Sequence, residues 1–168
     1  MYRTDGEVMH KFLVVSDNHG KEENFYDLLD IEAPLDGIIH CGDFEGTEGK
    51  FAIAADCPVY FVAGNNDFFS RLKREIEFEL CGHKAFLTHG HHYMVSMDLE
   101  NIRCEGVVRG ADIIFFGHTH KPIAKKIGDQ YIFNPGSLSY PRQEGRRPSY
   151  LVLFIEDDGE IKYEIKYL

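Results

Sequence analysis

No segment of the chain approaches the roughly 20 consecutive apolar residues of a membrane-spanning helix, and Met1 to Lys11 is too polar for a secretion signal. Neither a membrane span nor a membrane partner is expected. Cysteine is sparse: Cys41, Cys57, Cys81 and Cys104 stand far apart with no C-x-x-C pair. That spacing reads neither as a zinc knot nor as a disulfide framework, so the expected compartment is the reducing cytoplasm. Basic residues are in deficit, 18 against 28 acidic ones, for a formal charge of -10. Such a surface disfavours non-specific grip on nucleic acid or anionic lipid, although a local cationic site can still bind phosphate. Linkers, repeats and low-complexity tracts are also missing. What remains is 168 residues, 43% hydrophobic and 27% charged, the composition of one ordinary globular domain. Its expected span is residues 9–168. Residues 1–8 precede the first buried run, and Met9 could itself be a start, so they are expected to be a dispensable extension.

Five short apolar runs are present, and each ends in a loop rich in potential metal ligands. Phe12 to Val15 leads into Asp17-Asn18-His19-Gly20, and Gly37 to Ile39 into His40-Cys41-Gly42-Asp43. Val59 to Val62 leads into Gly64-Asn65-Asn66-Asp67, Ala85 to Leu87 into Thr88-His89-Gly90-His91, and Ile113 to Phe116 into Gly117-His118-Thr119-His120. Continuous apolar runs of this length predict strands buried on both faces. Helical spacing of Phe25, Leu28 and Leu29, and of Leu99, Ile102 and Gly106 behind a cap at Ser96 or Asp98, predicts two helices between them. The class is therefore α/β. Period-two alternation at Ile76, Phe78 and Leu80, and at Ile161, Tyr163, Ile165 and Tyr167, predicts half-exposed strands, while Gly128-Asp129 and Asp157-Asp158-Gly159 predict hairpin turns. The last third is expected to be antiparallel.

In an α/β sheet, ligands bind beyond the carboxyl ends of the strands, which is where these loops lie. Imidazole and carboxylate suit Mn²⁺, Fe²⁺ and Zn²⁺, and no cysteine stands at a required position. Asp17 and His19, two apart, reach one ion if the backbone is extended. The same holds for His118 and His120; in a bent loop they diverge to two ions. Asp43 can bridge, and Asn65 can ligate through its amide oxygen without adding negative charge. Outside this series His10 and His83 read as surface or strand-start residues. His40 and His92 read as structural histidines or as groups orienting ligands, and His91 as a side chain facing substrate. Asp67 is a turn residue or orients Asn65 or a water. Arg142 either forks toward phosphate or forms a surface salt bridge.

Taken in order, these motifs resemble those of the calcineurin-like metallophosphoesterases, D-x-H, G-D, G-N-[HC]-[DE], H-G and G-H-x-H. The chain is most similar to their small, cap-free bacterial and archaeal phosphodiesterase branch. The likeness runs from Lys11 to Ile155 and includes Asn134-Pro135-Gly136-Ser137 followed by Tyr140-Pro141-Arg142. It implies a four-layer sandwich of two mixed β-sheets flanked by helices. It also implies two divalent ions, Mn first and Ni, Fe, Zn or Mg as others. Asp17, His19 and His120 would hold one ion, Asn65, His89 and His118 the other, and Asp43 both. The implied activity is hydrolysis of small phosphate diesters by metal-bound hydroxide, with Asp43, Asn65, Asn66 and His91 at the reacting centre. Cyclic nucleotides, glycerophosphodiesters and nucleic-acid ends all fit as substrates, and a homo-oligomer is open. One departure stands out: many relatives carry histidine where this chain has Asn66, which removes a dedicated acid for the leaving group. The alternatives are a phosphomonoesterase with the same ions and a non-catalytic interaction module, since a retromer subunit shares this fold.

Overall fold

A strand covered on both faces should send alternate side chains into two different cores. In the computed structural model, which describes residues 2–4 and 7–168, the first apolar run does so. It forms the end of β2 (Glu7–Val15). Phe12 and Val14 enter a central cluster with Ile39, Leu87, Phe115, Phe133 and Leu153. Leu13 and Val15 face outward onto Phe25 and Leu28 of α1 (Glu23–Glu32) and Phe51 of α2 (Glu48–Ala54). The second sheet mirrors this: in β7 (Ile113–Phe115), Ile113 and Phe115 point to the centre, and Ile114 packs outward against Ile102 of α3 (Glu100–Arg109). The layers are thus helix, sheet, sheet, helix. Each large apolar side chain fully buried here contributes roughly 1.5–3 kcal/mol.

The first sheet runs β11 (Ile161–Tyr167), β10 (Ser149–Glu156), β2, β3 (Gly37–His40), β4 (Val59–Phe61), with β1 (Tyr2–Thr4) paired to the start of β2. The second runs β5 (Glu75–Leu80), β6 (His83–Thr88), β7, β9 (Gln130–Pro135), β8 (Pro122–Ile127). In each sheet a parallel trio, β2-β3-β4 or β6-β7-β9, lies beside antiparallel neighbours, so both sheets are mixed. The carboxyl ends of both trios carry the ligand-rich loops.

Several expectations need correction. The final third forms the two expected hairpins, β8-β9 and β10-β11, but β9 also pairs parallel with β7. Helix α2 was not expected: it has seven residues and buries only Phe51, too short to show a helical apolar stripe. At α3 the cap position is Leu99, and Ser96 does not cap; the Asp98 carboxylate accepts the Glu100 N–H at 2.9 Å. Strand β2 begins at Glu7 rather than near Phe12. Its first residues pair with β1 (Tyr2 opposite Met9), at the opposite end of β2 from Asp17. Met1, Asp5 and Gly6, which belong to the expected extension, lie outside the described residues. Among the described residues no helix is long and apolar enough to cross a membrane.

Candidate metal centre

The loops leave the strands with a sharply bent backbone. Asp17 (φ 54), His19 (φ 46), Asp43 (φ 60), His118 (φ 67) and His120 (φ 58) all sit in the left-handed region, although none is glycine. Each such residue costs roughly 1 kcal/mol or more, strain that persists only where the surroundings over-determine it. The extended-backbone route to a shared ion therefore does not apply, because bent loops aim the side chains instead. Backbone bonds lock the first two loops together, Asp17 N–H to Gly42 O and His19 N–H to Asp43 O, both at 3.0 Å. Asp67 makes no direct bond to the Asn65 side chain among the described residues. Its buried carboxylate accepts the backbone N–H groups of Asp43 (2.8 Å), Gly64 (2.8 Å) and Glu45 (2.7 Å), clamping the second loop to the third. Ser137 and Ser139 hydroxyls donate to the Asp17 carbonyl, and the Asn134 amide donates to Gly117 O, so the segment after β9 straps the first loop to the last. Two glycines permit this crowding: a Cβ at Gly64 would lie 2.1 Å from Asp43 Oδ1, and one at Gly117 would lie 2.2 Å from Ser16 Oγ.

Three histidines face the centre in the same way. His89 Nδ1–H donates to Cys41 O (2.7 Å), His120 Nδ1–H to Tyr140 O (2.7 Å) and His19 Nδ1–H to Glu45 Oε1 (3.0 Å). Each bond fixes the tautomer that presents Nε2, the arrangement typical of metal-bound imidazole. His120 Nε2 lies 3.0 Å from Asp17 Oδ1 and 3.1 Å from His19 Nε2, while His89 Nε2 lies 3.4 Å from Asp43 Oδ2. Two donor sets result, Asp17-His19-His120 and Asp17-Asp43-His89, each with its ligand atoms within 4.8 Å of one another. His118 diverges from His120, its Nδ1 standing 3.1 Å from Asn65 Oδ1 beside His89.

A divalent cation fits this donor set. Asp17 Oδ1 and His89 Nε2 are buried without a hydrogen-bond partner, which is costly for polar atoms unless something else binds them. Burial alone would raise the Asp17 carboxyl, but the charge of His89 and the close approach of His120 and His19 hold it far below the ordinary carboxylate range. Asp43 is likewise lowered, burial being outweighed by His89. In return Asp17 and Glu45 lift His19 to about 9 against the effect of burial. Such a set is balanced only by taking up positive charge, as protons or as divalent ions.

The remaining candidates take distinct places. Fully buried His40, pushed down to about 3 by burial, donates from Nε2 to Asn18 Oδ1 and accepts the Gly42 N–H on Nδ1, so it is a structural histidine tying the first two loops. Asn66 reaches Asp43 twice, through its backbone N–H (2.8 Å) and its amide (2.7 Å). His91, half-buried and pushed down to about 4 chiefly by burial, lies beside His89 and His118 with its Nδ1 unpaired. His92 is exposed, and His83 begins β6, bonded to Asp112 and Gly159 O. Half-buried His10 sits within β2 near Asp36 and Asp157. Arg142 has no salt bridge among the described residues and lines a cleft with His19 and His120. The clamp at Asp67 and the serines at 137 and 139 escaped sequence reasoning; the N-P-G-S stretch was the available signal.

Comparison with known proteins bears on this site. A sequence profile of the calcineurin-like phosphoesterase superfamily domain matches residues 10–158. A probable metallophosphoesterase of Bacillus subtilis, YsnB, is 35% identical over 88% of this chain and 85% of its own. The phosphodiesterase MJ0936 of Methanocaldococcus jannaschii is 28% identical over 75% of this chain and 82% of its own. Among solved structures, Vps29 of Entamoeba histolytica complexed with Zn²⁺ is 25% identical, with a TM-score of 0.74 over 94% of this chain and 98% of that one.

Proposed function

Because this chain belongs to the calcineurin-like phosphoesterase superfamily, we propose that it is a two-metal phosphodiesterase acting on small phosphate diesters in the cytoplasm. The observation that carries this reading is the convergence of His19, His89 and His120 Nε2 on Asp17 and Asp43, with buried ligand atoms left unpaired. Asp17, His19 and His120 would hold one ion, Asn65, His89 and His118 the other, with Asp43 available to both; manganese is the proposed metal. Two divalent ions bound there supply an activated water and positive charge for the phosphoryl oxygens. The chain's own residues do the rest. Glu45, Tyr140 O and Cys41 O fix the imidazoles, and Asp67 holds Asp43 and the loop bearing Asn65. Asn66 can donate a hydrogen bond but has no titratable proton, so esters whose leaving group needs no proton are favoured. His91, its Nδ1 unpaired, is one nearby side chain that can meet a substrate oxygen. The four cysteines are unpaired in the fold, which is in keeping with a reducing compartment.

The test reloads metal-stripped protein with Mn²⁺, Ni²⁺, Zn²⁺ or Mg²⁺, counts bound metal, and measures kcat/KM for bis-p-nitrophenyl phosphate, p-nitrophenyl phosphate and an alkyl monoester. Two ions per chain and a preference for the aryl diester are expected. Preference for a monoester would replace this reading with a phosphomonoesterase. Absence of turnover with every metal would favour an interaction role, for which the likeness to Vps29 is the supporting observation.

A further inference from the structure

An open cleft of about 560 Å³ adjoins the centre, lined by His19, His120, Tyr140, Pro141, Arg142 and Arg146. It shares two imidazoles with the centre, so a molecule whose phosphate meets the ligands there extends directly into it. The wall that carries the arginines is anchored to those imidazoles: the Arg142 N–H donates to His120 O (3.0 Å), His120 Nδ1–H to Tyr140 O (2.7 Å), and the Tyr140 ring meets His19 edge-on at 5.3 Å. Lys21 Nζ stands 4.4 Å over the Tyr140 ring at the rim. Arg142 and Arg146 are exposed, and neither guanidinium has a hydrogen bond or ion pair among the described residues. Away from the cleft, Arg109 meets Glu75, Glu77 and Glu105 and Arg147 bonds the carbonyls of Tyr167 and Leu168, while Arg71 and Arg74 are also unpaired among the described residues but do not line this cleft. No acid forms an ion pair with either arginine among the described residues. Glu45 is spent on His19, and Glu144 is exposed on the same loop.

Resting on the phosphodiesterase reading, we propose that this cleft is an anion subsite and that the preferred substrate is a diester with a second phosphate group on one arm. On a chain of net charge -10, a polyanionic substrate is repelled unless local cations receive it. Two free guanidinium forks beside the reacting phosphate supply that, since planar guanidinium matches phosphate in bidentate fashion.

A matched pair of aryl esters tests the subsite: the 5′-p-nitrophenyl ester of thymidine 3′,5′-bisphosphate and that of thymidine 5′-monophosphate, which differ by one phosphate. The native protein is expected to prefer the bisphosphate ester in kcat/KM by roughly 10–100-fold, mostly through KM, the range for losing charge-assisted hydrogen bonds. In Arg142→Ala/Arg146→Ala that ratio falls toward one, Arg142→Lys retains part of it, and Arg147→Ala, outside the cleft, keeps it. No preference in the native protein, or one that survives the double substitution, overturns the subsite. If neither ester is cleaved under any metal, the phosphodiesterase reading fails separately. Calorimetric binding of thymidine 3′,5′-bisphosphate then decides the subsite: binding weakened about tenfold or more by the double substitution supports it, and equal binding or none refutes it.

Discussion

Two buried polar clusters occupy this fold, and they are satisfied to very different degrees. Behind α1, the Glu32 carboxylate accepts from Lys11 Nζ (2.7 Å), Lys166 Nζ (2.5 Å) and Tyr150 OH (2.8 Å), while Lys11 also bonds Glu32 O (2.8 Å). Every strong group there has an opposite partner. At the centre, the carboxylates of Asp17 and Asp43 and the imidazoles of His19, His89 and His120 are crowded together with Asp17 Oδ1 and His89 Nε2 left unpaired. Equal burial thus serves stability in one place and stores binding capacity in the other, because only unsatisfied groups retain free energy to give to a ligand.

The sharpest way to break the comparison is Asp43→Asn. Losing the shared charge should cut turnover roughly 10²–10³-fold, the cost of removing one strong electrostatic stabiliser, and lower the bound metal. The melting temperature of the metal-free protein should fall only slightly: the attraction of His89 that holds the Asp43 carboxyl low is lost, but so are its burial cost and its repulsion by Asp17. A clear drop would mean that the centre stabilises the fold after all. Asp67→Ala straddles the distinction: three backbone N–H groups lose their acceptor, so metal affinity or activity should fall roughly 10–100-fold together with some stability. Metal titration alongside thermal melts separates the two losses.

Glu32→Gln should do the reverse, removing the buried charge that Lys11 and Lys166 both meet. The expected cost is roughly 3 kcal/mol, or about 6–12 °C in Tm, with turnover at 25 °C unchanged. Its pH dependence follows from the carboxyl itself, which burial would raise but Lys11, Lys166 and Tyr150 lower from about 4.5 to about 2. A depressed carboxyl stabilises fully above its unfolded value and loses that contribution as pH falls toward the folded one. The Tm gap between native protein and Glu32→Gln should therefore be full above pH 5 and narrow progressively toward pH 2. A gap that is flat with pH would show that the charge contributes nothing. The smallest effect is expected from deleting residues 1–8, which removes β1 and the first two residues of β2, far from Asp17 along that strand. Turnover should hold and Tm change by only a few degrees, about what 1 kcal/mol shifts; a loss of activity would show that the pairing reaches the centre.

The two clusters differed as much in the sequence as they do in space. The centre was legible because its donors directly follow apolar runs such as Phe12–Val15 and Ile113–Phe116, and strands with such runs end along one edge. The Glu32 cluster was invisible: its four members come from α1, β2, β10 and β11, and no local pattern relates Lys11 to Lys166. Helix α2 was missed for want of length, and the clamp at Asp67 because a carboxylate after Asn66 reads as an ordinary turn.

By itself the sequence determined the two-sided burial of the strands, the acidic surface, and the kinds of donor brought to one edge, all properties of residue type and short-range spacing. Only the tertiary structure decided which imidazole nitrogen faces inward, that His118 parts from His120, and that Arg142 and Arg146 flank the ligands. Those outcomes depend on carbonyls, carboxylates and strained loops supplied by segments more than a hundred residues apart, and such distant contacts leave no trace in local order.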